Sequence, residues 1–433
     1  MRDTIFSLSS GKPPAGVAVI RISGKQAPEI NDVFFVSASG ACARRAVLGD
    51  LIDPDDGAVL DRILAISFPE PASFTGENVV EWHCHGGQAT VRAILVALER
   101  YGKNGRFALR EAEAGEFTRR AFENGRIDLN EAEGLADLLN AQTESQRRAA
   151  LAMAEGHFSR HIEAWRERLL RCSAMAESLL DFSDEDDVPE SESALQSEIR
   201  ELRAEMVAEL AAPSAEKLHD GITVVLAGPP NAGKSTLLNR LAGREAAIVS
   251  DIAGTTRDRI EVPVDIGGIA FVLTDTAGLA GDSPDAIENI GMDRARKAIE
   301  SCDILLWLGD PQDSPRADAI RIAAQCDRRA DLPAGCDLAL SAVTGENMGD
   351  LHRLLISKSA TLIPSEGSYA LHKRQKDAVA AMAGELEYAM HDADLLVLAE
   401  HLRRARAAMD RLVGRSGVED MLGALFSRFC IGK

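Results

Sequence analysis

Aromatic side chains make up only 4% of the 433 residues, which weakens the case for a platform that stacks single-stranded bases. Positive charge is also in deficit: 48 Lys and Arg stand against 68 Asp and Glu, a net charge of −20. Nucleic-acid binding by a generally basic surface is excluded, because neutralising phosphates needs positive charge where they lie. Any RNA contact must use a local patch or a partner. No run of about eighteen apolar residues occurs, so no membrane-spanning helix and no membrane partner are expected. Cys42, Cys84, Cys172, Cys302, Cys326, Cys336 and Cys430 are odd in number and form no Cys-x-x-Cys pair. That pattern fits reduced thiols in a cytoplasmic protein rather than a disulfide framework. The opening MRDTIFSLSS has one Arg and no apolar core region, so no secretory signal is expected.

What is present is enough for several cores. Apolar residues are 45% of the chain and charged residues 27%, and the length predicts two or three domains. Residues 1–118 read as α+β, with strands at Val17–Arg21, Leu60–Phe68 and Asn78–His83 and a helix over Ala89–Tyr101. From Glu116 to Lys217 glycine nearly disappears, and Ala, Leu, Glu and Arg recur at helical spacing, the pattern of a bundle. The acidic stretch Asp181–Glu192 is expected as a solvated loop between two helices. Between Gly221 and Ile363 strands, Gly-rich turns and helices alternate, as in a doubly wound α/β domain. Helical character returns over Leu371–Leu412 and after Val418. Two helical blocks around an α/β block predict one helical domain interrupted by an insertion.

The most specific motif lies at the start of that insertion. The buried-strand run Ile222–Ala227 leads into Gly228-Pro229-Pro230-Asn231-Ala232-Gly233-Lys234-Ser235, then into an amphipathic segment from Thr236 to Leu241. This is G-x-x-x-x-G-K-[ST] in its strand–loop–helix setting. Gly228 and Gly233 permit the backbone angles that aim successive N–H groups at phosphate oxygens. The helix N-terminus adds partial positive charge, Lys234 can reach the β- and γ-phosphates, and the Ser235 hydroxyl can ligate Mg²⁺.

Further motifs set the nucleotide class. A strand over Ala270–Thr274 precedes Asp275-Thr276-Ala277-Gly278, a D-x-x-G with a carboxylate near Mg²⁺ and a Gly amide near the γ-phosphate. Gly254-Thr255-Thr256-Arg257-Asp258 offers the Thr256 hydroxyl to the metal, and Ser341-Ala342, after a strand over Asp337–Leu340, suits a loop touching guanine. Together these resemble the GTPase branch of P-loop proteins. The Asn-Lys-x-Asp that reads guanine is incomplete: Ala324-Gln325-Cys326-Asp327 keeps only the carboxylate, with Asp331 as a rival. Loss of the Asn and Lys is expected to weaken base packing and loop anchoring. Leu279 stands where Ras-like enzymes have a water-orienting Gln, and no arginine finger is evident.

Phe429-Cys430-Ile431-Gly432-Lys433, the segment Ser250-Asp251-Ile252-Ala253-Gly254-Thr255-Thr256-Arg257-Asp258 and Val19-Ile20-Arg21-Ile22-Ser23-Gly24 together resemble the MnmE (TrmE) family of tRNA-modification GTPases. The resemblance implies four segments. They are a tetrahydrofolate-binding and dimerisation domain at 1–118, a helical domain at 119–216 and 366–433, and a Ras-like P-loop G domain at 217–365 inserted between its halves. It further implies a homodimer that joins an MnmG-like FAD- and NADH-dependent protein in a heterotetramer acting on tRNA. The product would be a wobble uridine bearing an aminomethyl or carboxymethylaminomethyl group at C5, with a methylene-tetrahydrofolate as one-carbon donor. By the same resemblance GTP contacts Asn231 to Thr236, Ser250 to Thr256, Asp275 to Gly278, Asp327, Ser341 and Ala342. K⁺ is held by Asn231, Ser250, Ile252 and Thr255, and Mg²⁺ by Ser235 and Thr256. Glu288, in Glu288-Asn289-Ile290-Gly291, positions water and acts in catalysis with Asn231 and Lys234. The folate derivative is bound by Arg21, Glu81, Arg126 and Lys433, where Arg126 replaces a frequent Lys and keeps its charge.

Weaker signals have plainer readings. Without the resemblance, Arg21 and Glu81 read as ordinary strand-end charges. His83-Cys84-His85-Gly86-Gly87 invites zinc, but the two histidines are expected on opposite sides of an extended segment, so a Gly-Gly turn after an edge strand is preferred. Cys430 is expected on a mobile tail that folds back if Lys433 is to reach folate. The runs Arg147-Arg148 and Arg403 to Arg406 are expected as solvated helix faces. Two rival functions stand beside the family reading: a regulatory GTPase switch that binds RNA or ribosome without one-carbon chemistry, and an ATPase suggested by the incomplete guanine motif.

Overall fold

The computed structural model describes residues 3–38, 43–105, 107–181, 188–244, 261–276, 287–328, 333–365, 368–392, 394–414, 419–427, 429 and 431–432. The chain forms two compact units, Met1–Ala136 with Asp410–Lys433, and Asp137–Met409.

The first unit is α+β. Its strands are β1 (Thr4–Leu8), β2 (Val17–Ser23), β3 (Phe35–Val36), β4 (Val47–Ile52), β5 (Val59–Phe68), β6 (Val79–His85) and β7 (Leu109–Glu111). They form one sheet in the order β3-β4-β5-β6-β2-β1-β7, antiparallel except for the parallel β1–β7 pair. One face is apolar: Phe6, Ile20, Ile22, Ile63 and Trp82 share a core with residues of α1 (Ala27–Phe34) and α2 (Gln88–Lys103). Trp82 Nε1 donates to Asn31 Oδ1 at 3.0 Å, so the one polar atom of this large buried ring has its partner.

β6 corrects two expectations. It lies between β5 and β2 and is not an edge strand. Strand side chains alternate with a period of two, so Glu81, His83 and His85 share one face while Val80, Trp82 and Cys84 are buried on the other. His85 Nδ1 is 2.8 Å from Asp61 and His83 Nε2 is 3.5 Å from Glu81. Cys84 faces the core, where burial pushes its thiol up to about 11. A thiol held so far from its thiolate is a poor metal ligand.

In the second unit the long helices are α5 (Glu144–Ala154), α6 (His157–Asp181), α7 (Val188–Ala211), α12 (Lys373–His391) and most of α13 (Leu395–Leu412). Helix α7 begins inside the acidic stretch expected as loop. Arg147 and Arg148 both pair with Glu144, and Arg403 and Arg404 with Glu400. Each basic run thus shares one carboxylate of its own helix, which offsets part of its charge.

The P-loop block is a six-stranded sheet in the order β13-β12-β11-β8-β10-β9. Its elements run β8 (Ile222–Ala227), α9 (Lys234–Arg244), β9 (Glu261–Ile266), β10 (Ile269–Asp275), α10 (Ile287–Ser301), β11 (Ile304–Trp307), β12 (Ile320–Ala324), β13 (Leu338–Leu340) and α11 (Met348–Ser359). All neighbours are parallel except β9 on β10. Leu226, Leu237, Leu241, Phe271, Leu273, Leu306 and Leu351 fill the core beneath the phosphate loop.

Candidate nucleotide and folate sites

Strand β8 is buried on both faces and ends at Ala227, so the loop that follows emerges at the carboxyl edge of the sheet, where open α/β sheets bind ligands. Gly228 turns there with φ +148°, and a Cβ on it would lie 3.0 Å from the Leu308 carbonyl carbon. Only glycine fits both the angle and the approach. Asn231 takes φ +61° and Gly233 φ +97°, a run of left-handed residues that turns amides inward. Lys234 is 7% exposed, its ammonium donating to the carbonyls of Gly228 at 2.8 Å and Pro229 at 2.9 Å. Ser235 Oγ donates to Asp275 Oδ2 at 2.6 Å. The hydroxyl and carboxylate expected beside Mg²⁺ thus meet across the loop, and the donor set is the hard oxygen type this ion prefers. Thr276 Oγ1 donates to the Leu226 carbonyl at 3.0 Å, tying the D-x-x-G to the central strand.

The base side of the site is built by register. Ala324 and Leu340 are partners at the ends of β12 and β13. The segments carrying Asp327 and Ser341-Ala342 therefore leave neighbouring strands. Ser341 is fully buried, its backbone N–H donating to the Glu346 carbonyl and its hydroxyl accepting from Thr344. Among the expected nucleotide residues, Ser250 to Thr256, Ala277 and Gly278 lie outside the described residues, as do the rival Asp331 and the Glu288 side chain. The expected K⁺ ligands Ser250, Ile252 and Thr255 and the expected Mg²⁺ ligand Thr256 fall in the same segment.

The polar face of the first unit's sheet gathers a second set. Arg21 and Glu81 are not strand-end charges: they are cross-strand partners in the middle of β2 and β6. Arg21 Nε donates to Glu81 Oε1 at 2.9 Å, with both side chains 17% exposed. The Arg21 guanidinium also lies 5.7 Å from the Phe74 ring and 5.6 Å from that of Phe117, a contact favourable for a delocalised cation. Arg126 packs its stem near Gly76, two residues beyond Phe74. The C-terminal tail is docked at its described residues. Ile431 bridges Ala114, Ser9 Oγ donates to the Gly432 carbonyl at 2.7 Å, and Gly432 sits against Leu8. Strand β1, which holds Leu8, runs beside Arg21. Cys430 and Lys433 lie outside the described residues.

A family model described as the MnmE helical domain matches residues 129–430, and one described as the GTP-binding protein TrmE N-terminus matches residues 4–126. The tRNA modification GTPase MnmE of Rhizorhabdus wittichii is 55% identical over 431 residues, covering 100% of this chain and 97% of its own. The chain belongs to the MnmE family of tRNA modification GTPases. The same-named protein of Sphingopyxis alaskensis is 55% identical over 404 residues, 90% of this chain and 95% of its own, and that of Erythrobacter litoralis is 51% identical over 432 residues, 100% of each.

Two features of this MnmE chain escaped sequence reasoning. In the first unit, Arg120 is 4% exposed and bonds Glu77 at 3.0 Å and Glu116 at 2.9 Å, while Arg110 bonds Glu116 at 2.7 Å. Burial alone would raise the Glu116 carboxyl, but the bonds from Arg110, the Glu113 amide and Arg120 outweigh it and hold the group below its ordinary range. Glu77 also accepts from Ser23 on β2, so the network fixes the segment carrying Phe74 to α3 (Glu116–Glu123).

The second feature lies at the incomplete guanine motif, where loop anchoring is expected to be weakened. Gln325, at φ +60°, donates from Nε2 to the Asn231 carbonyl at 3.3 Å. It stands at the Lys position of the guanine motif and keeps a tether to the phosphate loop, without the charge. One neutral hydrogen bond contributes about 1 kcal/mol, so Gln325→Ala should weaken GDP binding roughly fivefold. Gln325→Lys should hold or improve it. A fluorescent-GDP titration checks both, and equal affinity in wild type and Gln325→Ala removes the tether role.

Proposed function

We propose that this chain is a GTP hydrolase of tRNA modification that works as a K⁺-dependent homodimer, in the cytoplasm, with an MnmG-like FAD partner. The observation that carries the reading is the phosphate loop, with Lys234 held on the Gly228 and Pro229 carbonyls and Ser235 on Asp275, in a chain of the MnmE family. On nucleotide binding, phosphate oxygens replace the carbonyl partners of Lys234, and the amides of Ala232 to Thr236 surround them. A monovalent cation at Asn231 supplies the positive charge that an arginine finger supplies elsewhere. Leu279 stands where a water-orienting Gln would be, which leaves that role to Glu288.

In this reading Glu81 accepts from the N–H groups of a pterin, and Arg21, Arg126 and Lys433 meet the carboxylates of the folate. In the same reading the one-carbon unit would supply the methylene at C5 of the wobble uridine of certain tRNAs, an amine co-substrate the nitrogen of the aminomethyl or carboxymethylaminomethyl group, and the NADH-dependent FAD partner the reducing equivalents. The boundaries at 118, 216 and 365 belong to the same proposal. The test is GTP turnover in KCl against NaCl, with dimerisation followed by light scattering. Faster turnover in KCl is expected, with a dimer held by residues 1–118 present in both salts. Equal turnover in the two salts overturns the cation role.

A further inference from the structure

In the second unit, three side chains converge where the P-loop block joins the long helices. Asp137 is on α4 (Leu129–Asn140), His219 on α8 (Ala215–Asp220) and His372 immediately before α12. Helix α8 hands the chain to β8 at Ile222, and His372 lies just after the segment by which the chain returns. These stretches are held together by hydrogen bonds. Ala215 N–H donates to the Leu371 carbonyl at 3.0 Å, and Lys373 N–H to the Glu216 side chain at Oε1, 2.6 Å away.

His372 Nε2 is 2.6 Å from Asp137 Oδ2 and His219 Nε2 is 3.3 Å from Asp137 Oδ1. The two rings lie nearly parallel, 19° apart with centroids at 5.8 Å. One ligand atom from each residue lies within 4.8 Å of the others. Burial alone would raise the Asp137 carboxyl, but the histidine hydrogen bonds outweigh it and hold it down to about 2. The group is therefore a carboxylate at neutral pH. His219 has 32% of its side chain exposed, which leaves one side open to water ligands.

We propose that Asp137, His219 and His372 form a binding site for a divalent transition metal of the zinc class, placed at the junction through which the P-loop block is inserted. Two imidazoles and one carboxylate are the donors such ions take, whereas Mg²⁺ and Ca²⁺ prefer oxygen alone. Bonds of about 2.1 Å to each donor require separations of roughly 3.4 Å in a tetrahedral site, within reach of small ring rotations here. Three separate segments supply the donors, so a bound ion ties α4, α8 and the start of α12 together. The inference rests on no part of the nucleotide or folate reading.

The test uses the full, nucleotide-free chain without a histidine tag, in excess Mg²⁺ so that the oxygen site at Ser235 is filled. Co²⁺ is titrated and its visible ligand-field absorption followed, then Zn²⁺ is added to displace it. Wild type should bind one Co²⁺ per chain, and His219→Ala and Asp137→Asn should bind it at least roughly tenfold more weakly. Zn²⁺ should raise the Tm of wild type and leave that of His219→Ala unchanged, which also reports that the variant folds. Equal Co²⁺ affinity, or an equal Tm shift, in wild type and His219→Ala would mean that protons alone hold the triad, and the proposal falls.

Discussion

Lys234→Met is expected to lower single-turnover GTP hydrolysis about a thousandfold, the scale at which preorganised charge acts on a developing anion. The side chain is 7% exposed and its ammonium is held by the Gly228 and Pro229 carbonyls. It is thus positioned before nucleotide arrives, inside a loop whose other donors are neutral amides. Methionine retains the length of the stem and its packing, so Leu237, Leu238 and Leu241 of α9 stay buried as they are. What is lost is the charge and the donor to two carbonyls. The Tm should fall by no more than a few degrees, since a net hydrogen bond contributes about 1 kcal/mol. Hydrolysis within tenfold of wild type, in protein with an unchanged Tm, would show that this lysine is not the group that meets the phosphates.

How much of this was legible in the sequence follows from where each feature is encoded. The phosphate loop was, because its residues are consecutive and its flanking strand is buried on both faces, giving the unbroken run Ile222–Ala227. So was strand β10, expected over Ala270–Thr274 and found at Ile269–Asp275. Strands β1 and β7 were not, since β7 has three residues and exists through its parallel pairing with β1. Strand β9 contains Pro263, which argues against a central strand; the structure places it at the sheet edge, where a missing N–H is tolerated. The sites divide in the same way. Arg21 and Glu81 become a pair only through the register of β2 and β6, and Gln325 finds Asn231 only across the sheet's carboxyl edge. Asp137, His219 and His372 come from three distant stretches, so no spacing rule could have joined them.

A large stability effect in the first unit is expected from Gly432→Ala. Gly432 has φ +98°, and an added Cβ would stand 2.1 Å from the Leu8 carbonyl oxygen and 2.8 Å from its carbon. Both obstacles are backbone at the end of β1, where Leu8 is paired with Ile20 of β2, so the strand resists displacement and the tail is expected to leave. Leaving removes the Ser9 hydroxyl bond to the Gly432 carbonyl and the Ile431–Ala114 bridge. Strain and lost contacts together should cost about 1–3 kcal/mol. Gly423 is a control on the same C-terminal segment: it lies in α14 (Glu419–Phe426), nothing stands within 4 Å of its added Cβ, and Gly423→Ala should be neutral or slightly stabilising. Lys433, a residue of the proposed folate site, follows the docked Gly432 in sequence. Titration with 5-formyltetrahydrofolate should therefore show at least a tenfold loss for Gly432→Ala and none for Gly423→Ala. A lowered Tm with unchanged folate affinity would detach the tail from the ligand while leaving its structural role in place. An unchanged Tm would mean that the close approach at Leu8 does not hold the tail at all.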